Sequence, residues 1–260
     1  MRQTSFAVIG SDARQRAAAA YLARLGYPVG GEEAAPGAEA VLFPAPCSDP
    51  ELLCRYAPRC GGIAFVGAPS EAVREKAAER KIRLVDYFAD DALAALNAIP
   101  TCEGAIGILL SRRERVLWNS RVLVVGFGRI GKLLAQRLAG FGALVTVAAR
   151  RPAQRALAAA LGYRVQSTES LEETAPGFEI LVNTAPAMLV DQKVIGRLPR
   201  DAFVLDLASA PGGVDLAAAA AAGVEAMRAP GLPAAAAPQT AGRFVVQTVL
   251  RMMEEMEQDE

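Results

Sequence analysis

Two α/β domains, each a doubly wound parallel sheet of the Rossmann-like kind, are predicted by three features of this sequence. Short apolar runs alternate with helical runs along the whole chain. A buried strand at 122–125 leads into Gly126-x-Gly128-x-x-Gly131. A long helical run beginning near residue 101 separates one alternating region from the next.

The elements follow in order. Runs 6–9, 40–43, 62–66 and 82–85 are short and apolar, as strands covered on both faces are, with helical runs 13–25 and 70–80 between them. A helical stretch at 90–98 leads to Ile99-Pro100. The run 101–115, with apolar residues at Ala105, Ile106, Ile108, Leu109 and Leu110, reads as the helix crossing to the second domain. Strand 122–125, the glycine turn, helix 132–138 and strand 144–148 make a βαβ unit, followed by strands at 179–183, 203–207 and 224–227. A loop rich in Ala and Pro (229–238) precedes a last helix, 240–257, whose apolar residues recur at helical spacing. That helix is expected to return to the first domain, with a solvated acidic tail at 254–260. The expected organisation is residues 1–100 plus 239–260, an interdomain helix at 101–118, and a nucleotide domain at 119–238, with a cleft between the domains.

The glycine turn implies a dinucleotide site. Gly126 allows a tight turn, Gly128 lets the backbone approach a pyrophosphate, and Gly131 lets the helix pack close to the strand. Phe127, Arg129 and Ile130 complete the loop, whose free N–H groups favour phosphate. NAD-specific domains place an Asp or Glu about 20 residues further on. Here the second strand ends in Ala148-Ala149-Arg150-Arg151. A carboxylate repels a 2′-phosphate and a guanidinium grips it, so the expected cofactor is NADP(H), held by Arg150 and then Arg151. The plainer alternative is a pair of solvated arginines.

Composition narrows the chemistry. The 260 residues hold 28 Lys plus Arg and 28 Asp plus Glu, so no nucleic-acid or anionic-membrane partner is expected. No apolar run is expected to reach the length needed to span a bilayer, and the start reads straight into a strand without a leader, which makes a cytoplasmic location the expectation. Cys47, Cys54, Cys60 and Cys102 have no CxxC spacing and the chain has no histidine, so no metal site is expected. Proton transfer must use Asp, Glu, Lys, Tyr, Cys, water or the substrate.

Several residues are expected to face the cleft. Ser11 and Asp12 either cap the helix after the first strand or, with Arg14, form a small anion site. Thr101 and Glu103 either cap the crossing helix or face the cleft, where Glu103 is the candidate acid/base. Asn183 and Thr184, after one strand, and Ser209, after the next, either bond ribose, nicotinamide or substrate or cap their loops. Gln239 and Thr240 open the last helix at another anion-favouring N-terminus.

These stretches also carry a family resemblance. Gly10-Ser11-Asp12-Ala13-Arg14-Gln15, Ile99-Pro100-Thr101-Cys102-Glu103-Gly104, the 125–131 turn and Asn183-Thr184-Ala185-Pro186 resemble the A-type subunits of the bacterial dipicolinate synthases. So do the 205–213 segment, Ala229-Pro230-Gly231-Leu232-Pro233 and Pro238-Gln239-Thr240-Ala241-Gly242. The resemblance implies an NADP-linked oxidation of dihydrodipicolinate or 4-hydroxytetrahydrodipicolinate to pyridine-2,6-dicarboxylate. It also implies, as partner, a flavoprotein-like B-type subunit, and work in the mother cell of a sporulating bacterium. The family often has Lys where this chain has Gln239, which puts a role for Gln239 in question. A homo-oligomer is compatible with the sequence. Two other readings stay open: an NADP-dependent dehydrogenase of another small acid, disfavoured by the missing histidine, and a nucleotide-binding scaffold whose partner does the chemistry.

Overall fold

The computed structural model describes residues 4–258. It divides into two units, Met1–Pro100 with Pro233–Glu260, and Thr101–Leu232.

The first unit holds strands β1 (Phe6–Val8), β2 (Val29–Gly30), β3 (Ala40–Leu42), β4 (Ile63–Val66) and β5 (Arg83–Asp86), all parallel, in the order β2-β1-β3-β4-β5. On one face Phe6, Val8, Leu42 and Phe65 pack with Ala18 and Leu22 of α1 (Ala13–Arg24). Phe244, Val245 and Val249 of the returning helix α11 (Pro238–Gln258) join the same cluster. On the other face Ala7, Ile9, Val41 and Phe43 pack with Leu53 of α2 (Pro50–Arg55) and Val73 of α3 (Glu71–Glu79). With apolar partners on both sides, these strands carry the continuous apolar runs that identify them. Helix α11 lies backbone to backbone on α1: a Cβ at Gly242 would stand 2.7 Å from the Ala18 nitrogen and 2.8 Å from the Arg14 carbonyl oxygen. Of the acidic stretch at 254–260, Asp259 and Glu260 lie outside the described residues.

The break expected around Ile99-Pro100 is absent. One helix, α4 (Asp91–Arg112), runs through Pro100 and stops short of the expected 118. Proline removes one helical hydrogen bond, but the segments on either side are fixed by burial, Leu93 and Ala98 before it and Cys102, Ala105, Ile106 and Leu109 after it. This continuity also corrects the membrane reading: α4 has the length and apolar composition of a span, with mean hydropathy 1.6 over 18 residues. Of its side chains, Leu93 joins the core of the first unit and Cys102, Ala105, Ile106 and Leu109 join that of the second, while Leu110 is exposed.

The second unit holds β6 (Arg121–Val125), β7 (Leu144–Ala148), β8 (Arg164–Gln166), β9 (Ile180–Asn183), β10 (Phe203–Asp206) and β11 (Glu225–Arg228), again all parallel, in the order β11-β10-β9-β6-β7-β8. Helices α5 (Arg129–Gly140), α6 (Pro152–Ala160), α7 (Leu171–Thr174), α8 (Gln192–Ile195) and α9 (Leu216–Ala222) flank it, and α10 (Leu232–Ala236) leaves it. Chain direction across the sheet reverses between β6 and β9, which opens a crevice at their carboxyl ends.

Candidate nucleotide and carboxylate sites

The crevice begins at the glycine turn. Gly126 has φ +96°, and a Cβ on it would fall 2.5 Å from Thr184 Oγ1. A Cβ on Gly131 would fall 2.1 Å from the Gly126 carbonyl oxygen. Packing therefore requires both glycines. Gly128 differs: no protein atom lies within 4 Å of the Cβ it lacks, and it starts α5 without a side-chain cap. A bare helix N-terminus facing open space is a cradle for an anion.

A pocket of about 500 Å³ opens here, lined by Gly126, Gly128, Arg150, Arg151, Gln154 and Thr184 among others, with no carboxylate in its wall. Arg150 and Arg151 are exposed, and neither has an ion-pair partner among the described residues. Arg155 is a site residue that no motif in the sequence marks. Its Nη1 donates to the carbonyls of Ala149 (2.9 Å) and Arg150 (2.7 Å), fixing the backbone that presents Arg150. Gln154 Nε2 donates to the Phe127 carbonyl at 3.4 Å. Proline at the start of α6 marks where that helix begins, but not that Gln154 and Arg155 reach the loop.

Phe127 lines the pocket, and it is buried with its ring edge-on to Tyr163. Arg129, Ile130 and Gly131 are not in the pocket wall. Thr184 lines the pocket, its Oγ1 donating to the Val125 carbonyl at 2.9 Å. Asn183 is a correction. It is fully buried, and its amide is committed to the Ala185 carbonyl, the Ala185 N–H and Asp206 Oδ1, so its side chain is not presented to a cofactor. Ser209 is exposed, and its carbonyl closes a turn with the Gly212 N–H.

Glu103 also departs from expectation. Its side chain is 60% exposed and lies 3.7 Å from Arg137 Nη2. Arg137 is in the last turn of α5, about 14 Å along the helix from Gly128 at 1.5 Å per residue. Glu103 is thus away from the glycine pocket. Its neighbour Cys102 turns inward and donates to the Ile130 carbonyl at 3.6 Å, and burial pushes that thiol up to about 12, removing it as a nucleophile. Thr101 is buried beside it in the same helix.

In the first unit the sheet order reverses between β1 and β3. Gln15, buried at the start of α1, donates to the carbonyls of Ile9 (2.8 Å) and Leu42 (3.3 Å), tying the two strand ends together. Asp12 caps α1 by accepting the N–H groups of Arg14 (2.8 Å) and Gln15 (3.0 Å). Ser11 is exposed beside it. Arg14 is 7% exposed; its Nη2 donates to the Ala45 carbonyl at 2.6 Å, its guanidinium lies 5.6 Å from the Phe88 ring, and its Nε has no partner. Below it Tyr87 is buried with its hydroxyl on the Phe43 carbonyl, and burial raises its pKa. Gln239 and Thr240 do not join this group. They line a groove of about 620 Å³ between α1 and α11.

Comparison with known proteins places this arrangement. The chain is 35% identical over 198 residues to the dipicolinate synthase A-subunit of Bacillus subtilis (strain 168), covering 76% of this chain and 67% of that protein. The crystal structure of the Bacillus subtilis dipicolinate synthase A chain superposes with a TM-score of 0.88, covering 100% of this chain and 99% of that one at 28% identity. The chain belongs to the dipicolinate synthase A-subunit family. The corresponding structure from Bacillus halodurans agrees, with a TM-score of 0.86 at 25% identity over 96% of this chain and 97% of that one. Residues 110–222 match the NAD-binding domain of the D-isomer specific 2-hydroxyacid dehydrogenases. D-3-phosphoglycerate dehydrogenase of Mycobacterium tuberculosis is 32% identical over 153 residues, 56% of this chain but 27% of that protein. The glycine pocket accordingly sits in an NAD-binding domain, which indicates a nicotinamide cofactor, and the open cradle at Gly128 fits its pyrophosphate. The family is named for one subunit of its enzyme, which implies a partner.

Proposed function

We propose that this chain is the NADP-binding, dehydrogenating subunit of a dipicolinate synthase, oxidising dihydrodipicolinate or 4-hydroxytetrahydrodipicolinate to pyridine-2,6-dicarboxylate. The observation that carries the reading is the pair Arg150 and Arg151 in the wall of the glycine pocket, where no acid stands to repel a 2′-phosphate. Family membership supplies the substrate class.

Gly126, Gly128 and the first N–H groups of α5 hold the pyrophosphate; Arg150 and Arg151 hold the 2′-phosphate; Thr184 borders the remainder. When bound, the oxidised nicotinamide supplies the hydride acceptor. The substrate is a small dianion, and in the first unit Arg14 and the Ser11 hydroxyl supply a carboxylate site, the first N–H groups of α1 being taken by the Asp12 cap. Forming the pyridine ring from the dihydro compound removes one hydride and one proton, and aromatisation drives the step. Orientation and water exclusion are then the protein's main tasks. From the 4-hydroxy compound a water is lost as well. The setting is the mother-cell cytoplasm of a sporulating bacterium, with a flavoprotein-like second subunit.

One observation favours a second reading, a nucleotide-binding scaffold for that partner: no carboxylate lines the pocket. The two separate experimentally. Substrate is generated in place from aspartate semialdehyde and pyruvate by the upstream synthase, and dipicolinate is followed by its ultraviolet absorption. Formation with this chain and NADP alone supports the dehydrogenase. Formation only once the flavoprotein-like partner is supplied supports the scaffold.

A further inference from the structure

The outer side of α11 is basic at one end and acidic at the other. Near its start, Arg243 joins Arg16 and Arg24 of α1 around the groove of about 620 Å³, which has no carboxylate in its wall. None of the three arginines has an ion-pair partner among the described residues. Arg16 donates to the Ser11 carbonyl, Arg24 lies 4.9 Å from the Tyr21 ring and Arg243 lies 5.4 Å from the Phe244 ring. Toward the other end of α11, Glu254 and Glu257 are exposed and likewise unpaired among the described residues, whereas Glu255 is taken by Arg251.

Helical geometry places these charges on one stripe. Glu254 follows Arg243 by about three full turns, roughly 16 Å along the axis and within about 20° of the same direction. Gln247, exposed and within 3.4 Å of the Tyr21 hydroxyl, lies between them. Beside the stripe, Ala13, Ala17 and Ala20 give the groove a floor of small side chains.

A stripe with cations at one end and anions at the other is complementary to itself turned end for end. That is the requirement for an isologous two-fold contact. We infer that the α1–α11 face pairs two copies of this chain about a two-fold axis, with the α11 helices antiparallel. Glu254 of each copy meets Arg243 of the other, and Glu257 approaches the Arg16 end of the groove. The charges fix orientation and partner choice, since exposed ion pairs contribute little affinity alone.

Analytical ultracentrifugation of the full chain at micromolar concentration tests this with Arg243→Glu, Glu254→Arg and their equimolar mixture. The wild type is expected to be a dimer. Each variant alone sets like charges opposite one another at both contacts and is expected to dissociate at least tenfold more readily. The mixture restores opposite charges at both contacts and is expected to dimerise again, which also shows that the variants are folded. A monomeric wild type overturns the inference, as does a mixture that stays monomeric. So does wild-type dimerisation by either variant alone, which would point to another face, such as the exposed Trp118 and Phe141.

Discussion

The Asn183 side-chain amide donates to Asp206 Oδ1 across 2.8 Å, joining the carboxyl ends of β9 and β10. Asp206 is 1% exposed and also accepts the N–H groups of Ala208 (3.1 Å) and Gly213 (2.9 Å). A Cβ on Gly213 would fall 2.4 Å from Asn183 Nδ2, so the two loops meet with no room for a side chain. This pair shapes the protein beside the nucleotide pocket rather than touching its contents.

Replacing Asp206 with Ala orphans three buried donors, each worth about 1–3 kcal/mol when left unsatisfied. Asp206→Ala is therefore expected to lose at least about 3 kcal/mol in urea unfolding of the free chain. A loss below about 1 kcal/mol would show that the latch is dispensable.

The glycines separate by what surrounds them. Gly131→Ala drives a methyl into the Gly126 carbonyl and is expected to destabilise the fold by roughly 1–3 kcal/mol, the usual range for overpacking. Gly128→Ala meets no protein atom and is expected to melt within about 1 kcal/mol of wild type, while weakening NADPH binding at least tenfold. Paired melting curves and fluorescence titrations read both outcomes.

Arg150→Gln is expected to raise the NADPH Kd about tenfold, the loss of one charge-assisted hydrogen bond of about 1.5 kcal/mol, and to leave NADH within twofold. Arg155→Leu should weaken NADPH indirectly, since Arg155 holds the Arg150 backbone rather than a phosphate.

Glu103→Gln is expected to change the rate of NADPH formation by less than threefold. Its carboxylate is exposed and lies by Arg137, not in the pocket. A hundredfold loss with an unchanged melting temperature would restore it as the acid/base.

Asp90 ties the acid stability of the first unit to α11. Burial raises its pKa, but the Leu93 N–H and the Arg251 guanidinium outweigh burial and hold it below the ordinary value. A carboxyl whose folded pKa is depressed stabilises above its unfolded pKa, near 4, and the contribution disappears as pH falls through the folded value. The stability difference between wild type and Asp90→Asn should accordingly be largest near neutrality and shrink below about pH 4. Asp90→Ala, which also loses the cap on Leu93, is expected to fall by about 1 kcal/mol more.

Much of the fold was legible because its central strands are buried on both faces and read as uninterrupted apolar runs. Two of the four edge strands were not: β2 has two residues, and β8 exposes Arg164 and Val165, so neither has a periodic pattern. Pro100 signals a break that burial on both sides overrides. In the candidate site, backbone requirements were legible at Gly126 and Gly131, and the arginines in place of an acid at the end of β7. The direction of side chains was not. Nothing in the Asn183-Thr184 dipeptide tells which residue turns into the core toward Asp206 and which borders the pocket. On α4, one step of about 100° sends Cys102 inward and Glu103 out.

The measurement that bears most directly on the chemistry is the ratio of kcat/KM for NADP to that for NAD, taken from initial rates of reduced-nicotinamide formation by the purified chain with substrate generated in place. The expected result is a preference for NADP of at least tenfold, with one dipicolinate formed for each NADPH. Equal rates with both cofactors, or a preference for NAD, would contradict the assignment of Arg150 and Arg151 to a 2′-phosphate.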